Sequence, residues 1–169
     1  MSTTIQSVRT ATRLLGARQL ATVVQRVADR QTEWLSRVRL NPVGRWYEQI
    51  HLDDSHEIWL ISWLPGQETG FHDHGGASGA FTVALGTLLE SRPVGVTSPS
   101  QVVSKPVGAG SVRSFGPRYI HNVRNASAAS VAVSVHAYSP PLSAMTRYEM
   151  TQSGLVTLGT EAATAWSAA

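Results

Sequence analysis

Cysteine is absent from this chain of 169 residues. Its absence excludes disulfides, thiolate nucleophiles, cysteine-type zinc sites and cysteine-ligated iron–sulfur clusters. A metal would have to be held by His, Asp or Glu. Lysine is nearly absent as well: Lys105 is the sole one, so the 14 basic residues are almost all arginine. The formal net charge is only +3 and no two basic residues are adjacent. The chain therefore lacks the basic cluster that binding a phosphate backbone requires, and nucleic acid is not an expected partner. No apolar run approaches the roughly 20 residues of a membrane-spanning helix, so no membrane partner is expected either. Charged residues are few, 15% against 42% hydrophobic, a balance that suits a packed globular core. The length suits one domain with a small terminal addition.

The first forty residues differ in texture from the rest. Leu14, Leu15, Ala21, Val24, Val27 and Ala28 recur at helical spacing, and Trp34, Leu35 and Val38 continue it. This pattern predicts two amphipathic helices, or one interrupted helix, packed on a core. The Arg/Ser/Thr-rich, acid-poor start also fits a transit peptide. Asp29 and Glu33 inside the pattern favour the packed helical region. We divide the chain at residues 1–40, a helical region, and 41–169, the main body.

After Asn41-Pro42 short strands bounded by turn residues follow one another. The expected strands are Arg45–Leu52, Glu57–Leu64, Gly70–His74, Gly79–Glu90, Gln101–Lys105, Ser111–Phe115, His121–Arg124 and Val131–Tyr138. Asp53-Asp54-Ser55 marks a hairpin turn. Past Pro140-Pro141 a short strand is expected near Arg147–Met150, followed by a loose small-residue tail. The fold class is mainly β, a sandwich or small barrel with jelly rolls included.

Four of the six histidines are placed for chemistry. His51 and His56 flank the hairpin turn and read as surface or structural residues. His72 and His74 lie in Gly-Phe-His-Asp-His-Gly-Gly. Residues two apart in a strand share a face, so both imidazoles can reach one metal while Asp73 points away. His121 follows Gly110 and Gly116-Pro117, with Asn125 beyond it. In Val133-Ser134-Val135-His136-Ala137-Tyr138 the alternation puts Ser134, His136 and Tyr138 on one face. There the hydroxyl can orient the imidazole and the imidazole the phenol.

Two resemblances follow from these residues. Gly66-x5-His72-x-His74-x4-Gly79-x6-Gly86 is similar to the first cupin motif, and Gly110-x5-Gly116-Pro117-x3-His121-x3-Asn125 resembles the second. They imply a cupin double-stranded β-helix with a metal inside the barrel, held by His72, His74 and His121. The second motif departs from its usual Pro-x-Gly, with Gly116 and Arg118 at those positions. Gly79 stands where many cupins have a glutamate ligand. Its absence leaves a neutral site with more open positions, suited to a substrate that brings its own anionic donor.

The row Ser134-x-His136-x-Tyr138-Ser139-Pro140-Pro141 resembles that of the cysteine dioxygenase family, the thiol dioxygenases among the cupins. The resemblance runs from about Arg45 to Tyr148. It implies iron(II) as cofactor, although the three imidazoles alone suit zinc, nickel, copper or manganese too. It implies a small thiol and O2 as partners and transfer of both oxygen atoms to sulfur, with L-cysteine to cysteine sulfinic acid as the first expectation. Another small thiol (3-mercaptopropionate, mercaptosuccinate or ergothioneine) or a non-oxidative metal-binding cupin are the alternatives. Tyr138, His136 and Ser134 would be the catalytic row. Arg45 would bind the substrate carboxylate, with Arg37 and Arg39 as competitors and a surface ion pair as its ordinary alternative. The pocket around Arg45, Gln67 and Met150 would set the choice of thiol, and Trp63, Phe71, Phe81 and Val83 would supply walls or plain core. Animal members carry a cysteine at the position of Gly79, crosslinked to the tyrosine; without cysteine Tyr138 stays an unmodified phenol, which points to the bacterial branch. A cytoplasmic monomer or small homo-oligomer is expected.

Overall fold

In a computed structural model of the protein, residues 12–94 and 101–163 are described. The transit-peptide reading falls on residues 1–11 and lies outside them. The described chain opens with α1 (Ala17–Asp29) and the short α2 (Gln31–Trp34) and continues through eleven strands. These are β1 (Trp46–Leu52), β2 (Glu57–Trp63), β3 (Phe71–His72), β4 (Ser78–Leu85), β5 (Thr87–Val94), β6 (Gln101–Gly108), β7 (Val112–Phe115), β8 (Asn122–Arg124), β9 (Ala132–Ser139), β10 (Ala144–Thr151) and β11 (Gly154–Ala162). No described helix is long and apolar enough to cross a membrane.

The strands form a double-stranded β-helix. One sheet has five strands in the order β1-β2-β9-β4-β7. Facing it are two three-stranded sheets, β11-β10-β3 and β6-β5-β8. An antiparallel bridge joins these two through His72 and His121, each N–H donating to the other's carbonyl at 3.0 and 3.2 Å. Strand β9 lies in the middle of the larger sheet, paired with β2 and β4, and all eight of its residues are buried.

Two apolar clusters account for that double burial. Trp63, Phe81, Val83, Leu88, Val107, Phe115 and Val123 fill the barrel interior. Leu20, Val24 and Trp34 of the helices cover the outer face of the large sheet, against Ile58, Leu60, Val133, Val135 and Ala137. The alternation along β9 thus sends Val133, Val135 and Ala137 to the helix and Ser134, His136 and Tyr138 inward. Within the helical pattern Leu14 and Leu35 do not belong to the buried stripe and are about half exposed.

Two expected elements differ. The single strand expected over Gly79–Glu90 is two strands, because Gly86 adopts φ +77° and its carbonyl accepts the Ala109 N–H. A side chain at Gly86 would also collide with the Val131 carbonyl. The tail is not loose up to residue 162: β11 pairs along the whole of β10. It is an edge strand whose residues are mostly exposed, so it carries no apolar alternation to announce it. Arg45 precedes β1 by one residue.

Candidate metal centre and cavity

The strand bridge fixes His72 and His121 side by side, and the turn that starts at His74 brings the third ring in. The ring centroids stand 5.0, 4.8 and 5.1 Å apart, close to an equilateral triangle. All three residues are buried, and each offers a ring nitrogen within 4.8 Å of the others. Asp73 points away as expected. Its carboxylate accepts from the Gly75 and Thr146 N–H groups and the Tyr148 hydroxyl, so it ties β3 to β10.

The remaining bonds of these rings test whether a metal fits. His72 Nδ1 donates to the Gly70 carbonyl at 3.0 Å, and His121 Nδ1 donates to Glu90 Oε1 at 2.9 Å. Each donation fixes the tautomer and leaves Nε2 as a lone-pair donor. Neither ring nitrogen of His74 has a hydrogen-bond partner among the described residues. The Tyr119 carbonyl lies near enough to favour its protonated form, but outside hydrogen-bonding geometry. A buried polar group without a partner is costly unless a ligand satisfies it. Burial and the neighbouring His121 hold His74 down to about 3, and burial with both neighbours pushes His72 well below its ordinary value. A buried triangle of imidazoles with ring lone pairs left to share is what a divalent cation requires. The three histidines fit the metal.

Glu90 is a residue that no local motif announces. It sits on β5, buried, with its carboxylate bonded to His121, to the Tyr119 hydroxyl at 2.8 Å and to Arg113 at 3.4 Å. A carboxylate behind a metal-ligating imidazole raises its basicity and fixes its orientation.

Gly79 explains the missing glutamate. A Cβ there would lie 2.4 Å from the Phe115 ring and 3.0 Å from the Tyr138 ring. Phe115 occupies that space, stacked on Tyr119 and packed against His74. No side chain can enter from that position unless the aromatic ring moves.

The Ser134–His136–Tyr138 row forms as expected and extends one residue further. Trp63 Nε1 donates to Ser134 Oγ at 2.8 Å, and Ser134 Oγ lies 2.8 Å from His136 Nε2. An indole N–H can only donate. With the Ser134 hydrogen directed to His136 Nε2, the proton of a neutral His136 sits on Nδ1, 3.3 Å from the Tyr138 hydroxyl. Burial pushes His136 well below its ordinary value and pushes the Tyr138 phenol up. With His136 Nδ1–H donating to the phenol oxygen, the phenol O–H is free to donate into the cavity.

The cavity beside the triangle has a volume of about 110 Å³, room for a small molecule and not for a polymer. His72, His121, His136 and Tyr138 line it, with Tyr47, Trp59, Ile61, Val123, Leu142 and Met145 as its apolar and aromatic surface. Two arginines line it as well, Arg45 and Arg147. Arg45 stacks over Trp63 with its guanidinium carbon 5.2 Å from the ring centroid. The competing arginines point elsewhere: Arg37 pairs with Glu48, and Arg39 bonds the Ser36 and Val38 carbonyls.

Several other expectations resolve differently. Gln67 does not line the cavity. Its amide accepts from the Leu64 N–H and donates to the Asn41 and Gly44 carbonyls, holding the loop that precedes Arg45. Met145 lines the cavity in place of the expected Met150. Trp63, Phe81 and Val83 are barrel core, and Phe71 is on β3 outside the cavity lining. His51 and His56 flank the hairpin turn around Asp53, whose carboxylate organises the turn.

The pattern of the cysteine dioxygenase type I family matches residues 3–151. The chain belongs to that family. Among solved structures, the protein TT1209 from Thermus thermophilus is 22% identical, covering 63% of this chain and 94% of its own, with a TM-score of 0.53. An uncharacterized conserved protein with a double-stranded β-helix domain from Klebsiella pneumoniae is 16% identical, covering 72% and 90%, also at 0.53. These likenesses show the fold. In this chain, the buried cluster of His72, His74 and His121 is one that could hold a metal ion.

Proposed function

We propose that the protein is a non-haem iron(II) thiol dioxygenase that converts a small carboxylate-bearing thiol to its sulfinic acid. The observation that carries this reading is one cavity lined by His72 and His121 of the three-histidine triangle, by His136 and Tyr138 of the hydrogen-bond row and by the Arg45 guanidinium. The overall change adds both atoms of O2 to one sulfur, and the electrons the sulfur loses are those the dioxygen gains, so no further reductant enters. L-cysteine is the substrate that the family membership suggests first.

His72 and His121 would hold the iron through Nε2, with His74 as the third ligand. Bound there, iron(II) supplies redox access to O2 and favours the thiolate form of the substrate.

The chain's own residues do the rest. Arg45 receives the carboxylate; its guanidinium makes no hydrogen bond or ion pair with a described residue and faces the cavity. Burial first, and the nearby Arg147 charge second, disfavour the charge on Arg45, and an arriving carboxylate relieves both. Tyr138 keeps its proton, because burial and the Glu57 charge resist ionisation, and presents it to the reacting sulfur side of the cavity. His136, neutral, fixes the phenol oxygen, and Ser134 and Trp63 fix His136. The apolar walls exclude water from the site.

Tyr138→Phe separates the hydrogen-bond role from metal binding. We expect the variant to retain iron at the wild-type stoichiometry while turnover falls about ten- to a hundredfold or O2 uptake becomes uncoupled from product. Unchanged kinetics would remove the phenol from the mechanism. His72→Ala, in contrast, should fail to hold stoichiometric iron.

A further inference from the structure

The cavity lining contains two permanent cations, Arg45 and Arg147, and no aspartate or glutamate. One carboxylate-bearing thiol neutralises one of them. The second has no role in the reaction described above.

The two guanidiniums belong to different sides of the cavity. Arg45 stands over Trp63, at the head of the row that ends in Tyr138. Arg147 is on β10 directly opposite His72 of β3, and residues paired in this way share a face of the sheet. Its side chain is thereby carried to the cavity beside the metal triangle. Arg147 Nη1 donates to the Thr69 carbonyl at 2.9 Å, which fixes the guanidinium plane. Its other nitrogens reach Glu161 only at 3.3 and 3.4 Å, longer than the roughly 2.7–2.9 Å of a closed charge-assisted bond. Glu161 is about half exposed on the edge strand β11, so this pair is water-screened and exchangeable. Arg45 has no acidic partner among the described residues to offset its burial. Two like charges facing one small, largely apolar space repel each other, and anionic ligand groups entering that space relieve the repulsion.

We infer that the cavity is built for a thiol that carries two carboxylates, one received by Arg45 and the other by Arg147. The inference rests on the thiol dioxygenase reading of the same site and narrows its substrate class. A thiol with a free ammonium group is the poorer match, because that cation would enter beside two guanidiniums with no carboxylate on the wall to balance it. Mercaptosuccinate has the required groups; 3-mercaptopropionate has one carboxylate and L-cysteine one carboxylate and an amine.

Two measurements test this independently of each other. The first is calorimetric titration of the metal-free protein with succinate and with propionate. Tighter binding of succinate by at least tenfold is expected, and the preference should shrink in Arg147→Gln and persist in part in Arg147→Lys, with circular dichroism confirming that both variants fold. Equal affinity for the two acids in the wild-type protein, which needs no variant, would overturn the inference. The second is kcat/KM of the iron-loaded enzyme for mercaptosuccinate, 3-mercaptopropionate and L-cysteine. A preference of tenfold or more for mercaptosuccinate is expected, with Arg147→Gln losing more on the dicarboxylate than on the monocarboxylate. Preferred turnover of either monocarboxylate would overturn the inference and leave the dioxygenase reading standing. Succinate preference without oxidation of any thiol would uphold the two-carboxylate site and overturn the dioxygenase reading.

Discussion

Glu90 shows at the residue scale what a metal triangle needs behind it. Its carboxylate is buried, bonded to His121 and Tyr119 and approached by Arg113, so the imidazole has one orientation and one tautomer. Glu90→Gln keeps the volume and removes the charge. The expected outcome is a fall in metal affinity of about ten- to a hundredfold, read by titration against a competing chelator, with the fold intact. Unchanged affinity would mean that the carboxylate does not support the ligand. Neither Glu90 nor Arg147 could be found by reading the chain. Glu90 meets His121 across 31 positions, and Arg147 meets Thr69 across 78, through pairings that leave no local pattern. The ligands themselves were legible, because the strand period places His72 and His74 two apart and the glycine spacing around them is specific. Trp63 was legible as a large buried side chain, but its donor role depends on Ser134, 71 positions away.

At the scale of elements, β9 has no solvent-facing side. Its inner residues form the hydrogen-bond row, and its outer residues lie under α1. The polar/apolar alternation there marks two kinds of interior, where such a pattern ordinarily marks one buried and one wet face. Helix α1 is thus part of what dries the strand that carries Tyr138. Leu20 is fully buried at that contact, and Leu20→Ala should cost about 2–5 kcal/mol of stability, read by denaturant or thermal unfolding. A cost below about 1 kcal/mol would show that the helix is not integral to the sheet. The strands with a buried face were legible to within a few residues. The exceptions follow from physics: β4 and β5 are separated by a glycine whose positive φ the sequence does not display, and β11 is an edge strand with almost no buried side.

At the scale of the whole molecule, the barrel holds three histidines, His72, His74 and His136, that folding keeps neutral. Their ordinary value is 6.5, and the folded values lie below it. Above that value both folded and unfolded chains are neutral at these sites. Below it the unfolded chain takes up protons that the folded chain refuses, so stability falls with pH. The metal-free protein should lose about 1.4 kcal/mol per pH unit for each such histidine as the pH drops below their ordinary value. Unfolding titrations at a series of pH values check this; a flat profile between pH 7 and 5 would contradict the buried, neutral state of His72, His74 and His136. The fold class was legible from many short strands and turns, and the motif spacing narrowed it to one barrel. The cavity's second cation was not, since it comes from pairing β10 with β3.

On the reading proposed above, this barrel places both atoms of dioxygen on a thiol sulfur. Its most direct test is turnover of the iron-loaded protein under isotopically labelled O2 in ordinary water, with mercaptosuccinate, 3-mercaptopropionate and L-cysteine each supplied in turn and the product weighed by mass spectrometry. A sulfinic acid that carries two labelled oxygens is expected. A product with one labelled oxygen, a disulfide, or no product from any of these thiols with iron bound would contradict it.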